Sequence, residues 1–204
     1  MRLKTLKSVE ELDHYRHTTE QYIDVLLPLE YLQQSKVIVF RHSSGQLCGG
    51  YTLVRSGSLR VLNSIPDEHR KKIALDLSNV AEITGLWLDA RKARHSFCSI
   101  LFWLHLYVDL VVSPFDGFVY AYTLKKSNLK KTYSTFGPIT LYEGETKQQE
   151  GMSGVEVEAV EFISKMSVVL SPILHYRFAT RRILFALRIL CCSLRRKSRQ
   201  VLTL

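Results

Sequence analysis

No aspartate or glutamate occurs between Phe162 and Leu204, although nine lysines and arginines do. The remaining residues carry 19 basic and 19 acidic side chains, so the net charge of +9 resides in the C-terminal stretch. A neutral body with a cationic tail is the first expectation. Cysteine is scarce as well. Cys48, Cys98, Cys191 and Cys192 are too scattered for a disulfide framework and lack the paired spacing of a zinc site, which points to a reducing compartment. The first residues, MRLKTLKSVEELDHY, contain no continuous apolar core of the kind a secretory signal needs, so a cytoplasmic location is expected. Gly-x-Ser-x-Gly, P-loop and dinucleotide-binding glycine patterns are missing, which sets aside the chemistries they serve. His14 and His17 have a spacing compatible with metal, but no carboxylate or cysteine joins them in the pattern, and no metal site is expected.

What is present fits one ordinary domain with an appendage: 204 residues, of which 46% are hydrophobic. The centre of the chain is the stretch Asn79 to Asp109, free of proline and with a single glycine. Val80 to Leu88 is rich in branched and aromatic residues and predicts a buried strand. From Phe97 onward, Phe97, Ile100, Leu101, Leu104 and Val108 recur at helical spacing, which predicts a helix with that face on the core. Between them Arg91, Lys92 and Arg94 stand at a helix start, where the dipole disfavours cations unless an anion is bound. Two readings stand for this turn: an anion site, or a solvated basic loop.

The flanking elements alternate. Ser8 to Tyr15 and Thr19 to Gln34 read as helical, the second interrupted by Pro28. Lys36 to Phe40 and Gln46 to Val54 read as a hairpin. A helix is expected over DEHRKKIALDL, which begins at Asp67. Strands follow over Phe118 to Thr123 and Ile139 to Glu143, with a helix between them over Ser127 to Phe136 stopped by Gly137 and Pro138. The expected organisation is a domain over 1–145, a polar linker over 146–154, and a basic helical extension over 155–204.

This order of elements, with Arg91-Lys92-Ala93-Arg94-His95-Ser96 after the central strand and Tyr133 four residues before Gly137, resembles the GNAT superfamily of N-acyltransferases. There an Arg/Gln-x-x-Gly-x-Gly/Ala turn cradles the pyrophosphate of an acyl carrier. The strand Glu82-Ile83-Thr84-Gly85-Leu86 is similar to the Glu-x-Ser/Thr-Arg-Leu run of the branch containing acyl-homoserine-lactone synthases and N-acyl amino acid synthases. Arg94 stands in place of a glycine, Ser96 in place of a second small residue, and Gly85 in place of the branch's arginine.

The resemblance implies an α/β fold, a twisted mixed sheet flanked by helices. It also implies transfer of an acyl group from a carrier thioester to a small amine. Glu82 would be the base, Thr84 an accessory group and Tyr133 the acid that protonates the leaving thiolate. Leu88, Arg91, Lys92, Arg94, His95 and Ser96 would receive the donor's phosphates. No permanently bound cofactor is implied; acyl-coenzyme A, or the phosphopantetheine of acyl carrier protein, enters as co-substrate. With Arg94 in the turn, contacts are expected to shift from main-chain N–H groups to side-chain salt links. Phe97, Phe102 and Trp103 are compatible with a fatty chain lying nearby, or simply with a core.

Read from the residues alone, Glu82 is either a carboxylate buried at cost, with a raised pKa suited to base chemistry, or a side chain at a strand edge facing water. In the tail, Arg177, Arg181, Arg188, Arg195 and Arg199 fall on one side of a helical projection, with Ile183, Leu187, Leu190 and Leu194 opposite. Such a helix packs on the domain, lies on an anionic membrane, or docks an acidic carrier protein. A spanning segment is not expected, since burying central arginines costs about 2.5 to 3.5 kcal/mol each. Nucleic acid is the weaker partner, because phosphate contact needs no apolar helix face. A catalytically silent scaffold of the same shape, binding an acidic protein or an anionic membrane, is the alternative to an enzyme.

Overall fold

The computed structural model describes residues 2–42, 45–55, 57–89, 98–125, 137–174 and 180. Its strands are β1 (Arg2–Leu6), β2 (Ser35–Arg41), β3 (Leu47–Val54), β4 (Val80–Leu88), β5 (Gly117–Thr123), β6 (Ile139–Glu145) and β7 (Val157–Ser164). The helices described are α1 (Val9–Ile23), α2 (Leu29–Gln33), α3 (Arg60–Asn63), α4 (Asp67–Arg70), α5 (Cys98–Val112) and α6 (Lys165–Leu174). All seven strands join one sheet in the order β1-β2-β3-β4-β5-β7-β6. Every neighbouring pair is antiparallel except β4 and β5, which run parallel. This is the mixed α/β sheet flanked by helices that the sequence predicts.

Burial explains the layering. One face of the sheet packs Ile38, Phe40, Tyr51, Ile83, Phe118 and Tyr120 against Phe102, Leu106 and Leu110 of α5 and Val168 of α6. The other face meets α1 and α2 through Val37, Val39 and Trp87 against Leu12, Tyr15 and Leu32. Trp87 is fixed there by stacking on Tyr22, with ring centroids 4.0 Å apart, and by donating from Nε1 to Thr19 Oγ1 at 2.9 Å. A third cluster gathers Val61, Leu62 and Ile65 around Val119, Val160 and Phe162.

Several expectations change. The helix α1 continues through Thr19 to Ile23, because Thr19 is buried against Trp87 and Asp24 closes it in the left-handed region at φ 60°. The helix expected from Asp67 ends after one turn at Arg70: none of its residues is buried, and Ile73, Leu75 and Leu77 beyond it pack on the third cluster outside any helix. Residues from 155, expected to begin a helical extension, instead supply β7, inserted between β5 and β6. The preceding polar stretch is tied to the domain, with Lys147 N–H donating to Ser64 O at 2.7 Å and Leu26 N–H to Gly151 O at 2.9 Å.

The orientation of α5 is the largest correction. Leu101, Leu104 and Val108, expected to face the core, are exposed, whereas Phe102, Leu106 and Leu110 are buried. Both sides of this helix are apolar, so helical spacing alone could not choose between them. The sheet takes the side that brings Phe102 edge-on to Phe40 and Tyr51, with centroids at 5.0 and 5.9 Å.

Candidate active site

The parallel pair β4 and β5 is joined over three positions only, Val80 with Gly117, Ala81 with Phe118 and Glu82 with Val119. Past Glu82 the strands diverge, and β4 remains paired with β3 alone. A cavity of about 370 Å³ opens at this split. One wall is β4 from Glu82 to Leu88, and the facing wall is β5 from Tyr120 to Thr123.

The cavity draws on both faces of the sheet. Toward α5 and α6 it is lined by Trp103, Leu106, Leu110 and Val168. On the other side it meets Arg60, Glu82, Glu156 and Glu158. The charged groups of the cavity all stand on this second side, among apolar residues that include Ile23, Val25, Leu27 and Met152.

Glu82 stands at that junction, 1% exposed. Its Oε1 accepts from the Tyr31 hydroxyl, and its Oε2 accepts from the Val61 N–H at 2.9 Å. The second bond satisfies one of the free amides at the start of α3, whose preceding residue, Leu59, offers no side-chain cap. Arg60 lies over the Tyr31 ring, 5.5 Å from its centroid. Burial pushes the Glu82 carboxyl up to about 7, opposed by the hydrogen bonds from Tyr31 and Val61 and by the Arg60 charge. Tyr31 is pushed up too, chiefly by burial and then by the carboxylate it faces. At neutral pH the pair holds its proton on the tyrosine and leaves Glu82 able to gain or lose one.

A bulge in β4 shapes the wall beyond Glu82. Thr84 pairs with Thr52 and Trp87 with Gly50, so Gly85 and Leu86 together oppose Tyr51. Gly85 adopts φ +58°, and its carbonyl accepts from the Tyr15 hydroxyl at 2.9 Å. The extra residue reverses the alternation: Ile83, Leu86 and Leu88 pack on the α5 side, while Trp87 turns to α1. A Cβ at Gly85 would lie 2.8 Å from the Tyr15 oxygen, so the arginine of the resembling branch has no room here.

No protein-family profile and no curated protein matches this chain. Solved structures do. The N-acyl amino acid synthase FeeM from uncultured soil microbes superposes with a TM-score of 0.58 at 13% identity, over 82% of this chain and 92% of that one. The AHL synthase LasI gives 0.58 at 12% identity, over 83% and 94%. A mutant form of the spermidine/spermine N-acetyltransferase SpeG from Vibrio cholerae gives 0.52 at 11% identity, over 82% and 95%. The fold is GNAT-like.

Within this GNAT-like frame the sequence-predicted residues divide. Glu82, Thr84 and Leu88 lie together along one wall of the cavity. Glu82 is buried at the split and does not face water at a strand edge. Of the three aromatics suggested for a fatty chain, Trp103 lines the cavity and Phe102 is core at 0% exposure. Tyr133, the turn residues Arg91, Lys92, Arg94, His95 and Ser96, Phe97, and the tail arginines Arg177, Arg181, Arg188, Arg195 and Arg199 lie outside the described residues. The sequence reading missed Tyr31 and Arg60, because neither belongs to a local pattern. It also missed Tyr120 and Tyr122, whose hydroxyls each donate to the buried Glu161 carboxylate at 2.9 Å.

Proposed function

We propose that this chain is an N-acyltransferase that moves an acyl group from a carrier thioester to a small amine, with Glu82 as the base. The observation that carries the reading is Glu82 itself, a buried carboxylate at the parting of β4 and β5 with its pKa pushed up to about 7. A base poised near the working pH takes a proton efficiently and returns it to solvent. The side of the cavity that carries the charged groups suits an amine, and the uncharged side beneath α5 suits an acyl chain. The edge of β4 past Glu82, turned to the cavity, suits an extended ligand lying alongside it as an added strand.

In the reaction, the neutral amine attacks the thioester carbonyl and forms the new C–N bond. Glu82 accepts the proton that the nitrogen sheds. The C–S bond then breaks, and the leaving thiolate is protonated by a nearby acid, the role the GNAT resemblance assigns to Tyr133. Thr84 lines the same wall two residues on, and the role proposed for it is to orient the substrate. The donor is coenzyme A or acyl carrier protein, its phosphates assigned to the basic turn by the same resemblance. The cytoplasm, where both donors are found, is the matching location.

Expression of the full chain in a bacterial host, followed by mass spectrometry of extracted lipids, tests the reading. New N-acyl species are expected with the parent sequence and not with Glu82→Gln. No new species with the parent, or equal amounts with both, would contradict it.

A further inference from the structure

The outer sides of α5 and α6 form a surface unlike that of an ordinary surface helix. Leu101, Leu104, Val108 and Val112, at intervals of three and four, are all exposed, Val112 at 71%. On α6, Met166, Val169, Leu170, Ile173 and Leu174 repeat the pattern, Ile173 at 69%. The two helices are neighbours, with the Tyr107 hydroxyl donating to Val169 O at 3.4 Å. Their exposed stripes therefore adjoin. The helices carry one acidic residue between them, Asp109, and it is buried and paired with Lys36 and Tyr51. An apolar surface of this breadth marks a place where something binds.

Charge indicates what does. The chain that continues from α6 contains Arg177, Arg181, Arg182, Arg188, Arg195, Arg196, Lys197 and Arg199 and no acidic residue. Apolar side chains joined to cations, with no exposed carboxylate among them, match the interface of an anionic bilayer, where apolar groups enter the acyl boundary and cations meet phosphates. No helix among the described residues is long and apolar enough to cross a membrane. We infer that the α5–α6 face is a membrane-docking surface, which seats the protein on anionic lipid with these helices against the bilayer. This does not depend on the catalytic reading.

Cosedimentation of the full chain with vesicles tests it. Phosphatidylglycerol mixed with phosphatidylcholine is compared with phosphatidylcholine alone, for the parent chain and for two triple variants. One is Leu104→Ser, Val112→Ser and Ile173→Ser; the other is Leu104→Glu, Val112→Glu and Ile173→Glu. The parent is expected to partition onto anionic vesicles at least about tenfold better than onto neutral ones, and both variants to lose at least about tenfold with unchanged melting temperatures. Variants that bind as the parent does would show that the basic stretch alone holds lipid, and would overturn the docking face. A parent that binds neither vesicle would overturn it too. So would a lipid-free parent dimer that the variants dissolve, which would make a second copy the occupant. Variants that melt several degrees lower would mean that the chain itself covers the face.

Discussion

The Tyr31 hydroxyl on α2 donates to the Glu82 carboxylate on β4, joining residues 51 positions apart at the place where the sheet splits. This bond favours the ionised carboxylate. Tyr31→Phe removes it, and the rising, acid-side limb of the rate–pH profile, which follows ionisation of Glu82, is expected to move to higher pH by about one unit. Initial rates from pH 5 to 9 would show the move. A limb that stays in place would mean that Tyr31 does not tune Glu82.

Stability should carry the same signature. A buried carboxyl raised from its ordinary 4.5 to about 7 favours the fold in its protonated form. That contribution is fully present below pH about 4.5 and is lost as the pH rises through about 7, on the order of 3 kcal/mol in all. Glu82→Gln has no proton to lose. Relative to the parent it should gain by this order in urea unfolding at pH 8 compared with pH 4. Parallel pH dependences in parent and variant would contradict the burial of an ionisable Glu82.

Gly85→Ala tests the bulge that forms the cavity wall. The added Cβ meets the Tyr15 oxygen at 2.8 Å, and the backbone stays at φ +58°. A loss of about 1–3 kcal/mol is expected. Adding Tyr15→Phe should recover only the steric part, since the backbone strain persists. A neutral Gly85→Ala would show that the bulge relaxes freely.

The basic turn lies outside the described residues, and salt dependence of donor binding reads its chemistry. If Arg91 and Arg94 meet the donor's phosphates through side-chain salt links, donor affinity should fall steeply with ionic strength. Arg91→Ala with Arg94→Ala should weaken it about tenfold or more and flatten the salt dependence. Affinity in the parent that is flat from low to high salt would remove the basis for the assignment.

How much of this was legible in the sequence depends on where the causes lie. The strand Val80–Leu88 was read with its bounds, since a run of branched and aromatic residues states its own burial. Glu82 stood out as a carboxylate within that run. What makes Glu82 a candidate base was not legible: its partners Tyr31 and Val61 come from 51 and 21 positions away, and only the fold brings them in. The first strand, Arg2–Leu6, went unread because it is an edge strand with only Leu6 buried. Gly85, noted in the sequence only as a departure from the branch's arginine, is the positive-φ residue of a bulge roofed by Tyr15. For α5 the apolar pattern predicted a helix correctly and its buried side wrongly. The second apolar side, with Leu101, Leu104, Val108 and Val112, is the one α5 exposes.

Single-turnover acyl transfer from a long-chain acyl thioester to an amine, followed by mass spectrometry across pH, decides whether Glu82 is the base. The parent chain should transfer at a rate that rises through pH about 7, and Glu82→Gln should lose about 10²-fold or more together with that rise. A Glu82→Gln variant that transfers as fast as the parent, with the same pH profile, would contradict the assignment of Glu82 as the base.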